Sequence, residues 1–88
     1  MSSTAIMHVM ESPRYAGDER LMLILLGDNA PSDGHGMCLG IVNLARGCNC
    51  TTGRAAELVD RFVRDGVIEL DGEGGYRIIY AALAAPPA

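Results

Sequence analysis

Positive charge is scarce in this sequence, and none of it comes from lysine. The 88 residues contain seven arginines, no lysine and eleven acidic residues, which gives a formal net charge of −4. Affinity for nucleic acid of arbitrary sequence grows with the number of phosphates that a basic surface can neutralise. The overall charge therefore excludes strong nonspecific binding to nucleic acid, and any DNA binding has to come from a local basic patch.

Long apolar runs are also missing. A membrane-spanning helix needs about 20 consecutive apolar residues, and no run in this sequence approaches that length. Residues 1–10 carry no basic segment ahead of an apolar block, which a secretory signal peptide would have. We therefore expect no membrane span and no signal peptide, with the cytoplasm as the compartment.

Cysteines are too few, and odd in number, for a disulfide framework or a zinc site. There are three, whereas stapled secreted domains carry an even and denser set. A zinc site needs four ligands, and the Cys48-x-Cys50 spacing is tighter than the usual one and has no second pair elsewhere. The remaining candidate ligands are Cys38, His8 and His35. We expect reduced thiols, no metal and no cofactor.

No group of side chains in the sequence has the composition of a catalytic site. The two histidines lie far apart, and the carboxylates are scattered through turns and helix surfaces. Asp71 and Glu73 stand among glycines, but the rest of a calcium-loop pattern is absent. We therefore expect a protein that is not an enzyme.

The clearest element is an amphipathic helix that begins at Thr51 and ends at Gly66. Its outward positions are polar, and its apolar positions fall on one arc of roughly 140° at 100° per residue. The apolar set is Ala55, Leu58, Val59, Phe62 and Val63. The stretch "VIELDGEGGYRIIY" follows, and two β-rich runs around a glycine-rich turn predict a β-hairpin.

The segments before this helix are shorter and less regular. Composition predicts an N-terminal arm at 1–17, with an extended piece at 6–10, and a loop at 29–36. Periodicity predicts a buried helix from Asp18 to Leu26 and a two-turn helix at 41–47. A very short strand is expected between them, at 37–39. The low complexity of residues 81–88, "AALAAPPA", predicts a flexible tail. Residues 18–80 thus have the element order of a winged helix-turn-helix, an α+β fold with three helices and a C-terminal β-hairpin.

From Leu21 to Ile68 the chain resembles the helix-turn-helix domains of phage and plasmid replication proteins and related small regulators. That stretch reads "LMLILLGDNAPSDGHGMCLGIVNLARGCNCTTGRAAELVDRFVRDGVI". The matching features are a leucine-rich helix, an Asp-Gly loop, a Leu-Ala pair, a threonine that opens the third helix and a Gly-Val-Ile exit. They lie at Leu25, Asp33-Gly34, Leu44-Ala45, Thr51 and Gly66-Val67-Ile68.

The resemblance implies binding to double-stranded DNA, with the third helix in the major groove and the hairpin as a wing on the backbone. The matched positions make Thr51 the helix cap, place Cys50 between helices and leave Cys48 exposed. The residues implied to face DNA are Thr52, Gly53, Arg54, Glu57 and Arg61. The arginines on either side, Arg46 and Arg64, complete the predicted DNA-binding set.

Charge along the third helix leaves two functions open. Residues 46–64 hold four arginines against Glu57 and Asp60, a local positive excess. Spacing predicts that Glu57 pairs with Arg61 and Asp60 with Arg64, which would reduce that excess. The hairpin is acidic and should repel a DNA backbone.

Our first hypothesis is a small phage or mobile-element DNA-binding protein that acts as a transcription or replication regulator, as a homodimer. The alternative is a protein-interaction module, such as a phage-encoded inhibitor of a host protein. In that case the acidic hairpin and residues 28–33 would dock onto a basic partner.

Overall fold

The part of the protein that the structure describes is an α+β fold of five short helices and a small antiparallel sheet. The computed structural model describes residues 3–30, 35–36 and 40–85. The elements in chain order are α1 (Ser3–Glu11), α2 (Gly17–Asp28), β1 (His35–Gly36), α3 (Ile41–Gly47), α4 (Thr52–Arg64), β2 (Ile68–Leu70), β3 (Tyr76–Ile78) and α5 (Tyr80–Ala84).

Helix α4 forms as its sequence predicts. Thr51 is the residue before its first turn, and Gly66 follows its end with φ +79°, a conformation that glycine adopts without a Cβ penalty. Four of the five predicted apolar positions are buried, and Val63 is half-buried. The helix therefore presents one face to the core and leaves the opposite face to solvent.

The core is built around α2 and α4. Met22, Leu23 and Leu26 of α2 and Phe62 of α4 are almost fully buried, because α2 is apolar on nearly all sides and lies between α1, α3 and α4. The aromatic ring of Tyr15, just before α2, meets Phe62 edge-on with ring centroids 5.2 Å apart. This packing fixes which side of α4 points outward.

The three strands form one antiparallel sheet in the order β1-β3-β2. In the β2–β3 hairpin, Ile68 pairs with Ile78 and Leu70 with Tyr76, which confirms the predicted hairpin. Tyr76 is fully buried, and its hydroxyl donates a hydrogen bond to the Leu26 carbonyl oxygen over 2.5 Å. That carbonyl lies in the last turn of α2, where helix carbonyls lack partners within the helix. The sheet thereby caps α2.

The described residues form five helices, and the prediction of three was wrong because each terminal segment contains a helix. The predicted arm contains α1, including residues 6–10, which were expected to be extended. Its small residue Ala5 lies against α2, so close that a Cβ on Gly27 would stand 3.4 Å from the Ala5 Cβ. Close contact with α2 stabilises a helix whose sequence alone has a weak pattern.

The first residues of the predicted tail, 81–84, belong to helix α5 (Tyr80–Ala84). Leu83 is fully buried. Its carbonyl oxygen accepts a hydrogen bond from Ser12 over 2.6 Å, and the Ala82 carbonyl accepts one from Arg14 over 3.1 Å. The His8 and Tyr80 rings stack with centroids 4.2 Å apart. These contacts with residues 8–14 hold the C-terminal helix on the fold.

The loop expected at 29–36 contains β1, which pairs with β3 through His35 opposite Arg77 and Gly36 opposite Tyr76. The short strand expected at 37–39 lies outside the described residues, as do Asp33, Gly34 and Cys38. Among the helices that the structure describes, none has the length and hydropathy needed to cross a bilayer.

Candidate functional site

The turn between α3 and α4 is built by the stretch Arg46 to Thr51. Helix α3 ends in a Schellman motif: the Cys50 N–H donates to the Ala45 carbonyl over 2.9 Å, and the Asn49 N–H donates to the Arg46 carbonyl over 3.2 Å. Asn49 adopts φ +54°, and asparagine is one of the few residues that take this left-handed conformation readily. The motif sets the angle at which α4 leaves α3.

Both cysteines pack at this turn, Cys48 within the core and Cys50 against it. Cys48 is buried and Cys50 is half-buried, whereas Cys48 was expected to be exposed. Burial raises the pKa of the Cys48 thiol, and the neighbouring Cys50 and Asp18 raise it further. A raised pKa keeps the thiol protonated and unreactive. The described residues include no group of three or more His, Cys, Asp or Glu side chains that could hold a metal ion.

Thr51 is the N-cap of α4, as predicted. Its Oγ1 accepts a hydrogen bond from the Arg54 backbone N–H over 3.0 Å. This satisfies one of the backbone donors that the first turn of a helix leaves without partners. The cap fixes the residue at which α4 begins, and with it which residues the first turn exposes.

Replacing Thr51 by alanine should lower the free energy of unfolding by about 1 kcal/mol, because the Arg54 N–H loses its acceptor. Thr52→Ala is the matched control, since the Thr52 side chain is exposed and should change stability by no more than about 0.5 kcal/mol. Urea unfolding of both variants measures the difference. Equal losses would contradict the capping role of Thr51.

Helix α4 has three kinds of surface outside the core. At 100° per residue, Gly53, Glu57, Asp60 and Arg64 form a row directly opposite the buried face. Thr52 and Ala56 form a second row on one side of that row. Arg54 and Arg61 form a third row on its other side, towards α2. All eight residues are exposed.

The Arg54 side chain is engaged by carboxylates of α2 and α4. Its Nε donates to Asp18 Oδ2 over 3.1 Å and its Nη2 to Asp18 Oδ1 over 3.4 Å. Glu57 lies 3.6 Å from Nη1. The hydrogen bonds to Asp18 raise the pKa of Arg54 above its ordinary value, and Glu57 adds to this. Arg54 thus points along the α2 side of the helix.

Arg61 belongs to a polar network that joins α2, α4 and the segment before α2. Its Nη1 contacts Oε2 of Glu19, a buried oxygen, and its Nε lies 3.8 Å from Asp65 Oδ2. Asp65 Oδ2 also accepts a hydrogen bond from the Tyr15 hydroxyl over 2.7 Å. Burial and this bond raise the Tyr15 pKa well above its usual value. Without Arg61 the buried Glu19 oxygen would lose its charged partner, so Arg61 supports the fold.

The ion pairs of α4 differ in part from those that spacing predicts. Asp60 pairs with Arg64 at 3.5 Å, as expected. The predicted Glu57–Arg61 pair was wrong, because Glu57 contacts Arg54, and Glu19 and Asp65 contact Arg61 instead. Three arginines of α4 therefore contact five carboxylates, so the positive excess counted along residues 46–64 does not survive folding.

Arg46 is the predicted site residue whose charge remains most available. It is exposed in the last turn of α3 and has no ion pair with any described residue. A cation in that position also suits the negative end of the helix dipole. Arg46, the Thr51 cap and the first turn of α4 therefore lie close together along the connection between α3 and α4.

Three of the four charged residues of the hairpin are acidic. Glu69, Asp71 and Glu73 are exposed, and Glu69 stands opposite Arg77 in the strand register. Oδ1 of Asp71 accepts backbone hydrogen bonds from Glu73 over 2.8 Å and from Gly75 over 2.9 Å. Asp71 therefore holds the hairpin loop together in addition to contributing negative charge.

The sequence did not identify Asp18, Glu19, Tyr15 and Asp65 as parts of this site. Asp18 and Glu19 were assigned only to the positive start of α2, where acidic residues are common. Asp18 lies 36 residues before Arg54, and no local pattern links them. Comparisons with protein-family models, with curated proteins and with solved structures found no match to this chain.

Proposed function

We propose that this protein is a winged helix-turn-helix that binds double-stranded DNA, with α4 as the recognition helix and the β2–β3 hairpin as the wing. The observation that carries the proposal is the α3–α4 unit. A Schellman turn and the Thr51 cap join the two helices tightly, and the first turn of α4 leaves Thr52 and Gly53 exposed. In helix-turn-helix proteins the corresponding residues reach the base edges.

The order of elements around this unit supports the same proposal. Helix α2 precedes a short strand, α3 and α4 follow it, and the hairpin returns to pair with that strand. In a winged helix the corresponding strand and hairpin form the small sheet beside the recognition helix. The terminal helices α1 and α5 would be additions to this arrangement, in which α1 packs against α2 and α5 packs against α1.

The ion pairs of α4 weaken DNA binding without preventing it. An exposed pair is worth at most about 1 kcal/mol, so a phosphate can displace Asp18 from Arg54 or Asp60 from Arg64 at small cost. The displaced carboxylates stay nearby and repel the backbone. We therefore expect weak binding that falls steeply with salt. A homodimer would double the number of arginines that reach one duplex.

The proposed biological role is that of a transcription or replication accessory regulator of phage or mobile-element type. This part of the proposal is supported by the resemblance of residues 21–68 to such regulators. The proposed compartment is the cytoplasm, where free thiols such as Cys48 and Cys50 stay reduced.

The acidic hairpin favours a second candidate function, binding of a basic protein. Leu70 is 53% exposed between Glu69 and Asp71, so an apolar side chain is surrounded by negative charge. A basic partner with an apolar anchor would match this surface in charge. In this case α4 would contribute little, because its arginines remain paired with carboxylates.

Titration of ¹⁵N-labelled protein with a mixed-sequence duplex, at low and then physiological salt, tests the proposal. We expect shifts in residues 46–64 that shrink as salt rises. Asp18→Asn should strengthen binding by up to about fivefold, because it frees Arg54 from an exposed ion pair worth at most about 1 kcal/mol. Asp28→Asn is the matched control, since it removes the same charge from the other end of α2.

The outcomes separate the two candidates. Equal gains from Asp18→Asn and Asp28→Asn would mean that net charge alone matters and that α4 is not the contact surface. No shifts at low salt would reject DNA binding. Shifts confined to residues 68–78 on addition of an arginine-rich peptide would then support the basic protein partner.

A further inference from the structure

The outward face of helix α1 is apolar. Met7 is 58% exposed and Met10 is 53% exposed. Angles of 100° per residue place both away from Ala5 and Val9, which α1 buries in the core. A surface helix normally presents polar and charged residues on that side. Glu11 is the one residue with a full charge in α1, so this face is nearly uncharged on a protein of formal net charge −4.

The same face contains a depression with the outline of a helix-packing hole. Its volume is about 240 Å³, and the residues that line it are Thr4, Met7, His8 and Glu11. They are spaced as i, i+3, i+4 and i+7 along α1. In knobs-into-holes packing, four residues of a helix surface form the hole that receives one side chain of a facing helix. Met7 stands at the edge of this hole and projects as a knob beside it.

We propose that two copies of this protein pair through α1, antiparallel across a two-fold axis, with Met7 of each copy seated in the depression of the other. A two-fold interface must be self-complementary, and the outward face of α1 carries both the knob and the hole. The flexible thioether of methionine suits such packing. The inference rests on the homodimer in the proposed function, for which it supplies the surface, and it does not require DNA binding.

Charge favours a second copy over other occupants of this face. Met7 is the middle residue of α1, so antiparallel pairing centred on it places Glu11 of one copy beside the first turn of α1 in the other. Glu11 lies at the negative end of its own helix, and the first turn contains no acidic residue. Both copies gain this contact. A basic partner would instead be attracted to the acidic hairpin, and an anionic membrane would find no lysine or arginine on α1.

Sedimentation equilibrium without DNA tests the pairing. Helix α1 is about 14 Å long, which is short for a protein interface, so we expect weak association at about 0.1 to 1 mM. The mass should rise with concentration from 9.3 kDa towards twice that value. Added salt should strengthen the association, because it screens the repulsion between two acidic copies, whereas it weakens DNA binding. On dilution, ¹⁵N shifts should be confined to residues 4–11.

Met7→Glu should weaken the association at least about tenfold, because it brings two like charges together at the axis. Val42→Glu is the matched control, since Val42 is 57% exposed but lies on α3. Met7→Glu mixed with Met7→Arg should pair again.

Three outcomes would overturn the inference: a constant mass up to about 2 mM, equal weakening by Met7→Glu and Val42→Glu, or no recovery in the mixture. DNA-dependent shifts in residues 46–64 would still support the DNA-binding proposal in each case. Self-association through α1 without any DNA-dependent shift would support this inference and reject DNA binding.

Discussion

Replacing Phe62 by alanine is expected to remove about 4 kcal/mol from the free energy of unfolding. The ring is fully buried in the core and meets the Tyr15 ring edge-on, so its removal is expected to leave a cavity there. A domain of this length has a total stability of about 4 to 13 kcal/mol. The loss therefore consumes a large share of the total, and urea unfolding followed by circular dichroism measures it.

Two further variants make this prediction specific to Phe62. Val63→Ala changes the next residue, which is half-buried, and should cost about 1 kcal/mol. Phe62→Leu keeps most of the apolar volume and should cost less than about 1.5 kcal/mol. A loss below about 2 kcal/mol for Phe62→Ala would show that the core relaxes around the cavity, contrary to the packing described for α4.

Helix α4 was predictable from sequence because the information that determines it is local. The apolar arc, the Thr51 cap and the terminal Gly66 all lie within sixteen consecutive residues. The β2–β3 hairpin is local in the same sense, since its turn residues lie between its strands. Elements of this kind can be derived from spacing and turn chemistry alone.

The terminal helices could not be predicted, because contacts with distant segments stabilise them. Helix α1 depends on the close approach of Ala5 to Gly27, and α5 depends on Ser12 and Arg14 as partners for its last carbonyls. An alanine-rich segment of five residues has too few internal hydrogen bonds to form a stable helix by itself. Its sequence therefore resembles that of a flexible tail.

The charge of the candidate site was the least predictable property. Counting along residues 46–64 gives a positive segment, but folding brings Asp18 and Glu19 from α2 against Arg54 and Arg61. The same arginines then contribute to stability as well as to the electrostatic potential. Whether α4 attracts phosphate depends on how easily a phosphate replaces the carboxylate at each arginine. The DNA titration of Asp18→Asn measures this for Arg54.

Replacing Gly36 by alanine is the second change with a large expected effect, a loss of about 3 kcal/mol from the free energy of unfolding. A Cβ at this position would stand 2.1 Å from Cζ of Tyr76, the residue that Gly36 faces across the sheet. The ring cannot move aside cheaply, because it is fully buried and its hydroxyl bonds the Leu26 carbonyl. Thermal and urea unfolding both report the loss.

Two comparisons test whether the clash with Tyr76 is the cause. Gly53→Ala introduces the same methyl group into open space at the start of α4, and it should stabilise the protein by up to about 1 kcal/mol because alanine favours helix. Tyr76→Leu removes the obstructing ring atoms, so adding Gly36→Ala to that variant should cost much less than it does alone. If the cost is the same in both backgrounds, the two residues are not coupled and the ring is not the obstacle. A reduced cost would establish that the absent Cβ of Gly36 is what lets Tyr76 reach α2 and anchor the sheet beside α4.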